Sequence, residues 1–82
     1  MTPTDLRQIG EALYGPEWQT PMARSLGVSL RTVQRWASGA KPIPDPDRLR
    51  ADLLALVPAR LAEARERVQA IRQAERMMRR AA

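Results

Sequence analysis

The 82-residue sequence contains no cysteine, no histidine and no phenylalanine. The absence of cysteine excludes a disulfide framework, an iron–sulfur cluster, a thiol nucleophile and a zinc finger. The absence of histidine removes the commonest general base and the commonest ligand of transition metals. The remaining residues show no nucleophile–base pair and no phosphate-binding loop. We therefore expect a protein that is not an enzyme and that uses no cofactor and no metal.

Long apolar segments are also missing from the sequence. No apolar run approaches the roughly 20 residues that a membrane helix needs. The N-terminal residues are polar, unlike those of a signal peptide. We expect a cytoplasmic location and no membrane partner.

The charge is strongly positive. Fourteen Lys+Arg residues stand against nine Asp+Glu, which gives a formal net charge of +5. Lys41 is the only lysine, so almost all of the positive charge comes from arginine. A small basic chain of this kind usually binds a polyanion, most often a nucleic acid.

Proline and glycine divide the sequence into predicted helices, and strand signals are nearly absent. Gly27 and Gly39 are expected to end helices, and Ser29 is expected to cap the next one. Pro58 predicts a bend or a restart, because proline is tolerated in a first turn but breaks a helix interior. The predicted helices cover about residues 4–13, 19–26, 30–38, 46–57 and 59–79.

Residues 19–39 carry the most informative spacing in the chain. Ala23 is small where the third helix is expected to cross close to the second. Gly27 allows the tight turn between these two helices. Val33 and Trp36 are expected to point into the core, and Trp18 to pack against the start of the second helix. The pattern predicts two helices that cross at a steep angle.

The outward face of the predicted third helix is basic and polar. Leu30, Arg31, Gln34 and Arg35 fall on one helical face. Between residues 19 and 41 the sequence has no carboxylate, so this short unit holds +4 of the net charge. An isolated surface arginine is more often simply solvated. Here the arrangement of the two helices favours contact with DNA.

The pattern of residues 19–39 resembles the helix-turn-helix of phage lambda repressor and Cro-type (XRE-like) regulators. The matching residues are Gln19, Ala23, Gly27, Val28, Ser29, Thr32, Val33, Arg35, Trp36 and Gly39. The resemblance covers about residues 4–57. It implies an all-α fold: a bundle of four to five helices, with a C-terminal helix that extends from it or packs beside it. Residues 1–57 would be the DNA-binding domain, and residues 58–82 an amphipathic helix for dimerisation.

The resemblance also implies roles for individual residues. The third helix would enter the major groove, with its first residues on base edges. The implied base-reading residues are Leu30, Arg31, Gln34 and Arg35. The implied DNA-backbone contacts are Gln19, Ser29, Thr32, Ser38 and Lys41.

The C-terminal segment has an apolar spacing of three and four residues. The residues expected to form a dimer contact are Leu61, Ala64, Val68, Ile71 and Met78. Glu75 interrupts this pattern where an apolar residue would fit. The segment could fold back on residues 1–57, pair with a second copy, or bind another protein. A dimer would place two recognition helices roughly 34 Å apart on a palindrome.

We expect a sequence-specific regulator that binds double-stranded DNA as a homodimer. The resemblance implies a phage-type repressor that can act on its own operon. We expect the protein to be encoded by a bacterium or a phage and to associate with the nucleoid. The alternative is an antitoxin-like protein whose C-terminal helix binds a partner protein.

Overall fold

The computed structural model describes residues 1–81 as four helices with no strand in that range. The helices are α1 (Pro3–Tyr14), α2 (Gln19–Leu26), α3 (Leu30–Ser38) and α4 (Pro46–Ala81). The predicted all-helical fold is confirmed. Residue 82, the last residue of the predicted C-terminal segment, lies outside the described residues.

α1 begins with a reciprocal pair of hydrogen bonds. The amide of Asp5 donates to the Thr2 hydroxyl over 3.0 Å, and the amide of Thr2 donates to the Asp5 carboxylate over 2.9 Å. Both bonds satisfy amides that the first turn leaves without helical partners. The hydrogen bonds from the Thr2 backbone and side chain lower the pKa of the Asp5 carboxyl below its ordinary value.

The short helices α2 and α3 begin and end close to where the local signals predicted. Gly27 follows α2 with a φ of 70°, and Gly39 follows α3 with a φ of 79°. Glycine adopts this left-handed conformation without strain. The Ser29 hydroxyl caps α3 by accepting a hydrogen bond from the Thr32 amide over 3.1 Å. A turn of three residues thus joins α2 to α3, and a loop of seven residues joins α3 to α4.

All four helices, together with Trp18 just before α2, supply the buried core. Leu6, Met22 and Val33 are completely buried. Trp18 and Trp36 are also buried, as expected for residues that anchor the core. The full buried set is Leu6, Trp18, Met22, Ala23, Val33, Trp36, Ala37, Leu49 and Leu53.

Trp18 lies directly against α1 at Gly10. A Cβ atom at position 10 would overlap ring atoms Cε3 and Cδ2 of Trp18, and would lie 2.9 Å from Cγ. Gly10 is itself buried. The missing side chain therefore lets the indole ring reach the α1 backbone and sets the position at which α2 starts.

The predicted restart at Pro58 is wrong, because α4 runs from Pro46 to Ala81 without interruption. A proline in a helix interior removes one hydrogen bond and crowds the carbonyl four residues earlier. Here that carbonyl belongs to Leu54, whose side chain is 64% exposed, so water has access to this side of the helix. Strong helix formers dominate the sequence on both sides of Pro58.

α4 leaves the core after its first half. Leu49 and Leu53 are buried, whereas every described residue from 61 onwards is exposed. The molecule measures 54 × 21 × 19 Å, and its long dimension matches about 1.5 Å for each residue of α4. The C-terminal half therefore extends from the domain and does not fold back on it. No helix among residues 1–81 is both long and apolar enough to cross a membrane.

Arg60 fixes α4 where it leaves the domain. Its Nε donates to the Leu13 carbonyl over 2.7 Å, and its guanidinium lies 4.3 Å from the centroid of the Tyr14 ring. The same guanidinium bonds to Glu63 one turn further along. The Tyr14 hydroxyl in turn lies 2.7 Å from the Ser25 hydroxyl on α2. The end of α1 thus connects α4 to α2.

Candidate nucleic-acid interface

α3 has one buried side and one exposed side. Val33, Trp36 and Ala37 face the core at helical spacing. Arg31 and Gln34 are exposed on the other side. The helical spacing of the buried residues therefore leaves Arg31 and Gln34 on the side that faces solvent.

The four predicted base-reading residues do not share the same exposure. Leu30 is 40% exposed at the start of α3, although it is an apolar residue. Arg31 and Gln34 are also exposed, whereas Arg35 is half-buried. The structure thus brings Leu30, Arg31 and Gln34 together on the open surface, whereas Arg35 is only partly accessible.

Ser29 and Thr32 already bond to each other at the start of α3. Their hydroxyl oxygens lie 2.8 Å apart, and the Ser29 oxygen also accepts from the Thr32 amide. Ser29 is exposed and Thr32 is half-buried. One hydroxyl of this pair retains a hydrogen that it could donate to a phosphate. Ser29 thus has a structural role as the cap of α3, in addition to its predicted contact with the DNA backbone.

Ser38 and Lys41 lie where α3 ends. The Ser38 hydroxyl donates to the Arg35 carbonyl over 3.2 Å, and the Lys41 amide donates to the same oxygen over 3.3 Å. Ser38 must break its bond before it can donate to a phosphate. The Lys41 ammonium is free of any such bond in the described part of the chain and is exposed.

Gln19 is the first residue of α2 and is half-buried. Its side chain has no hydrogen-bond partner among residues 1–81. The preceding Trp18 contributes no side-chain cap to α2. Amide groups at the start of α2 therefore remain available, beside the Gln19 side chain, to a group outside the domain.

The basic residues of this unit are not neutralised within the described structure. The four ion pairs found in residues 1–81 all lie within α4. Residues 19–41, from the start of α2 to the loop after α3, take part in none of these pairs. The basic residues of this segment are Arg24, Arg31, Arg35 and Lys41. The segment itself contains no acid, so it adds four positive charges to this side of the molecule.

Arg7 holds α1 against the end of α3, a role that the sequence did not indicate. Its Nη1 donates to the Ala37 carbonyl over 3.1 Å, and its Nη2 donates to the Thr4 hydroxyl over 3.2 Å. The bond to Ala37 joins residues 30 positions apart. No local pattern marks such a contact, because an arginine on an amphipathic helix usually faces water.

A second exposed surface runs along α4 from Leu54 to Met78. Leu61 is 50% exposed, Ile71 is 61% exposed and Met78 is 67% exposed. Leu54 lies seven residues before Leu61, so the uninterrupted helix places it on the same side. We call this surface the apolar stripe; its residues are Leu54, Leu61, Ala64, Val68, Ile71 and Met78. It contains every residue predicted for dimerisation, and no residue of the described chain covers these side chains fully.

The described residues form no metal site, and the chain matches no known family. Residues 1–81 bring together no group of three or more aspartate, glutamate, cysteine or histidine residues that could hold a metal ion. Comparison with models of protein families, with curated proteins and with solved structures finds no match to this chain. The geometry and charge of α2, α3 and α4 are therefore the basis on which a function can be assigned.

Proposed function

We propose that this chain is a sequence-specific regulator of transcription that binds double-stranded DNA through a lambda-repressor-like helix-turn-helix formed by α2 and α3. The observation that carries the proposal is the exposed side of α3, where Arg31 and Gln34 lie in a segment without any acid or internal ion pair. The acids of the chain lie in other segments, so the basic residues of α2, α3 and the following loop are separated from them in the sequence. A helix with only a structural role does not require such a separation.

The chemistry of the side chains suits base recognition in the major groove. A guanidinium such as that of Arg31 can bond in bidentate fashion to guanine O6 and N7, and an amide such as that of Gln34 to adenine N6 and N7. Leu30 can contact a thymine methyl group. Lys41, and Gln19 beside the start of α2, can bond to phosphates and so fix the position of α3.

A binding selection from a random pool of duplex DNA at physiological salt tests the proposal. We expect a short enriched motif. Arg31→Ala should lose the preference at one base of that motif. Arg50→Ala is the matched control, because Arg50 is an exposed arginine on α4 that pairs with Asp47. Failure of the wild-type protein to enrich any motif would refute sequence-specific recognition.

The selection also reports on assembly. Two paired chains would select a palindrome, with recognition helices about one turn of DNA apart, as expected for a homodimeric repressor. A single chain would select one half-site.

The second candidate function is an antitoxin-like interaction protein, in which α4 binds a different protein. The exposed apolar stripe favours contact between α4 and another helix or protein. The charges beside the stripe distinguish a second copy of this chain from a different protein.

A further inference from the structure

The apolar stripe follows one heptad register along the uninterrupted α4. Positions 54, 61, 68 and 75 alternate with positions 57, 64, 71 and 78, as in the contact line of a pair of packed helices. Glu75 is the one polar residue in this register. From Leu61 to Met78, where every residue is exposed, the register covers 18 residues, or about 26 Å of helix at 1.5 Å per residue. A line with this spacing is complementary to the apolar line of a second helix.

The charged residues that border the stripe are all arginines. In this register positions 60, 67 and 74 lie along one side, and positions 65, 72 and 79 along the other. Arg60 is held by α1, and Arg79 pairs with Glu75 over 3.1 Å. The other three arginines beside the stripe are Arg65, Arg67 and Arg72. None of these three forms an ion pair within residues 1–81.

These arginines oppose pairing with a second copy. In a parallel pair, Arg67 of one chain would face Arg72 of the other, and the two Glu75 side chains would meet. In an antiparallel pair, each border would face the same border of the other chain, so arginine would again face arginine. Residues 58–81 carry seven arginines against three glutamates, so the whole segment repels its copy. Charge complementarity thus favours a partner of opposite sign.

We infer that the apolar stripe binds an acidic amphipathic helix of another protein. The partner helix has apolar residues at its contact positions and glutamate or aspartate beside them, opposite Arg65, Arg67 and Arg72. The inference rests on the second candidate function, a protein partner for α4, and it does not depend on DNA binding by α3. It predicts that the chain alone is a monomer and selects a single DNA half-site.

Two synthetic helices test the inference on the 82-residue chain in the absence of DNA. Each has about four heptads with leucine or isoleucine at the contact positions. One carries glutamate at the border positions, and the other carries lysine. Titration calorimetry should show that the glutamate peptide binds at least tenfold more tightly at low salt, and that added salt weakens this preference because it screens the charges. Equal binding of both peptides, or binding of neither, overturns the inference.

Charge reversal provides the matched variants. Arg67→Glu together with Arg72→Glu should reverse the preference, so that the lysine peptide binds more tightly. Arg76→Glu together with Arg80→Glu changes the net charge equally on the face away from the stripe and should leave the order unchanged. Ile71→Asp should abolish peptide binding, whereas Met77→Asp should not, since Met77 is 55% exposed outside the stripe. Circular dichroism checks that each variant remains helical.

Sedimentation and DNA-binding measurements test the two other molecules that could contact this part of α4, a second copy of the chain and DNA. A stable dimer of the chain alone would overturn the inference in favour of a second copy. A loss of DNA affinity with the 67/72 reversal that the 76/80 reversal does not cause would show that Arg67 and Arg72 bind DNA phosphates, and would also overturn the inference. A failure of Arg31→Ala to affect DNA recognition would instead count against the proposed DNA function and leave the peptide result intact.

Discussion

Replacing Gly10 with alanine reverses the usual effect of this substitution in a helix. Alanine normally stabilises a helix interior by about 1 kcal/mol relative to glycine. At position 10 the new methyl group overlaps the ring of Trp18, which is only 3% exposed and cannot swing into solvent. We therefore expect Gly10→Ala to destabilise the protein.

The magnitude follows from the two opposing effects. Forcing an extra methyl group into a well-packed core costs about 1–3 kcal/mol. The overlap involves two atoms of a buried ring and not the end of a flexible side chain, so the upper part of that range applies. After the helix-propensity gain of about 1 kcal/mol is subtracted, the net loss is about 1–2 kcal/mol. For a domain of this size each kcal/mol lowers Tm by about 4–8 °C.

Urea unfolding followed by far-ultraviolet circular dichroism measures this loss, because the signal does not depend on tryptophan. A double-mutant cycle with Trp18→Leu identifies the cause. Once the indole ring is gone, Gly10→Ala should stabilise the chain, as it does in an ordinary helix. If Gly10→Ala were as stable as the wild type, or if its effect were the same in both backgrounds, the proposed contact between Gly10 and Trp18 would be wrong.

Three further predictions concern the DNA interface and the start of α1. Arg31→Ala should cost about 1–3 kcal/mol of binding to the selected site, whereas Lys41→Ala should weaken all sequences alike and lower the salt slope by about one unit; gel-shift titrations over a range of salt distinguish the two, and equal effects on every sequence would contradict the base-reading role. Ser29→Ala should lower the free energy of unfolding by about 1 kcal/mol by removing the cap, whereas Ser29→Asp should keep the cap but weaken DNA binding by repelling phosphate; an unchanged affinity of the aspartate variant would exclude a phosphate beside this residue. Because hydrogen bonds lower the pKa of Asp5, its contribution to stability should be present above its ordinary pKa of 3.8 and be lost as the pH falls through the folded-state value; Asp5→Asn should remove this part of the pH dependence in acid unfolding curves.

The helix ends in the middle of the chain were predictable because their signals are local. Gly27, Ser29 and Gly39 each act through their own backbone conformation or through an amide three residues away. Such contacts depend on sequence order alone and are the same in any fold that contains the turn. The alternation of buried and exposed residues on α3 follows in the same way from helical geometry.

The contacts that join helices were not predictable. Arg60 bonds to the carbonyl of Leu13 across 47 positions, and Arg7 bonds to that of Ala37 across 30. Each depends on a backbone oxygen that becomes accessible only after the helices have packed. The error at Pro58 has the opposite origin: the local signal for a restart was outweighed by the strong helix formers on both sides of the proline.

The uninterrupted path of α4 makes the direction of its apolar stripe a function of chain length. Arg60 holds one point of the helix against α1, and the helix beyond it turns by about 100° and advances by about 1.5 Å with each residue. Inserting one residue after Arg60 would therefore point the stripe to a different side of the molecule, while inserting seven would nearly restore its direction. The number of residues between this fixed point and Val68 thus sets the angle at which a bound helix is presented relative to α3.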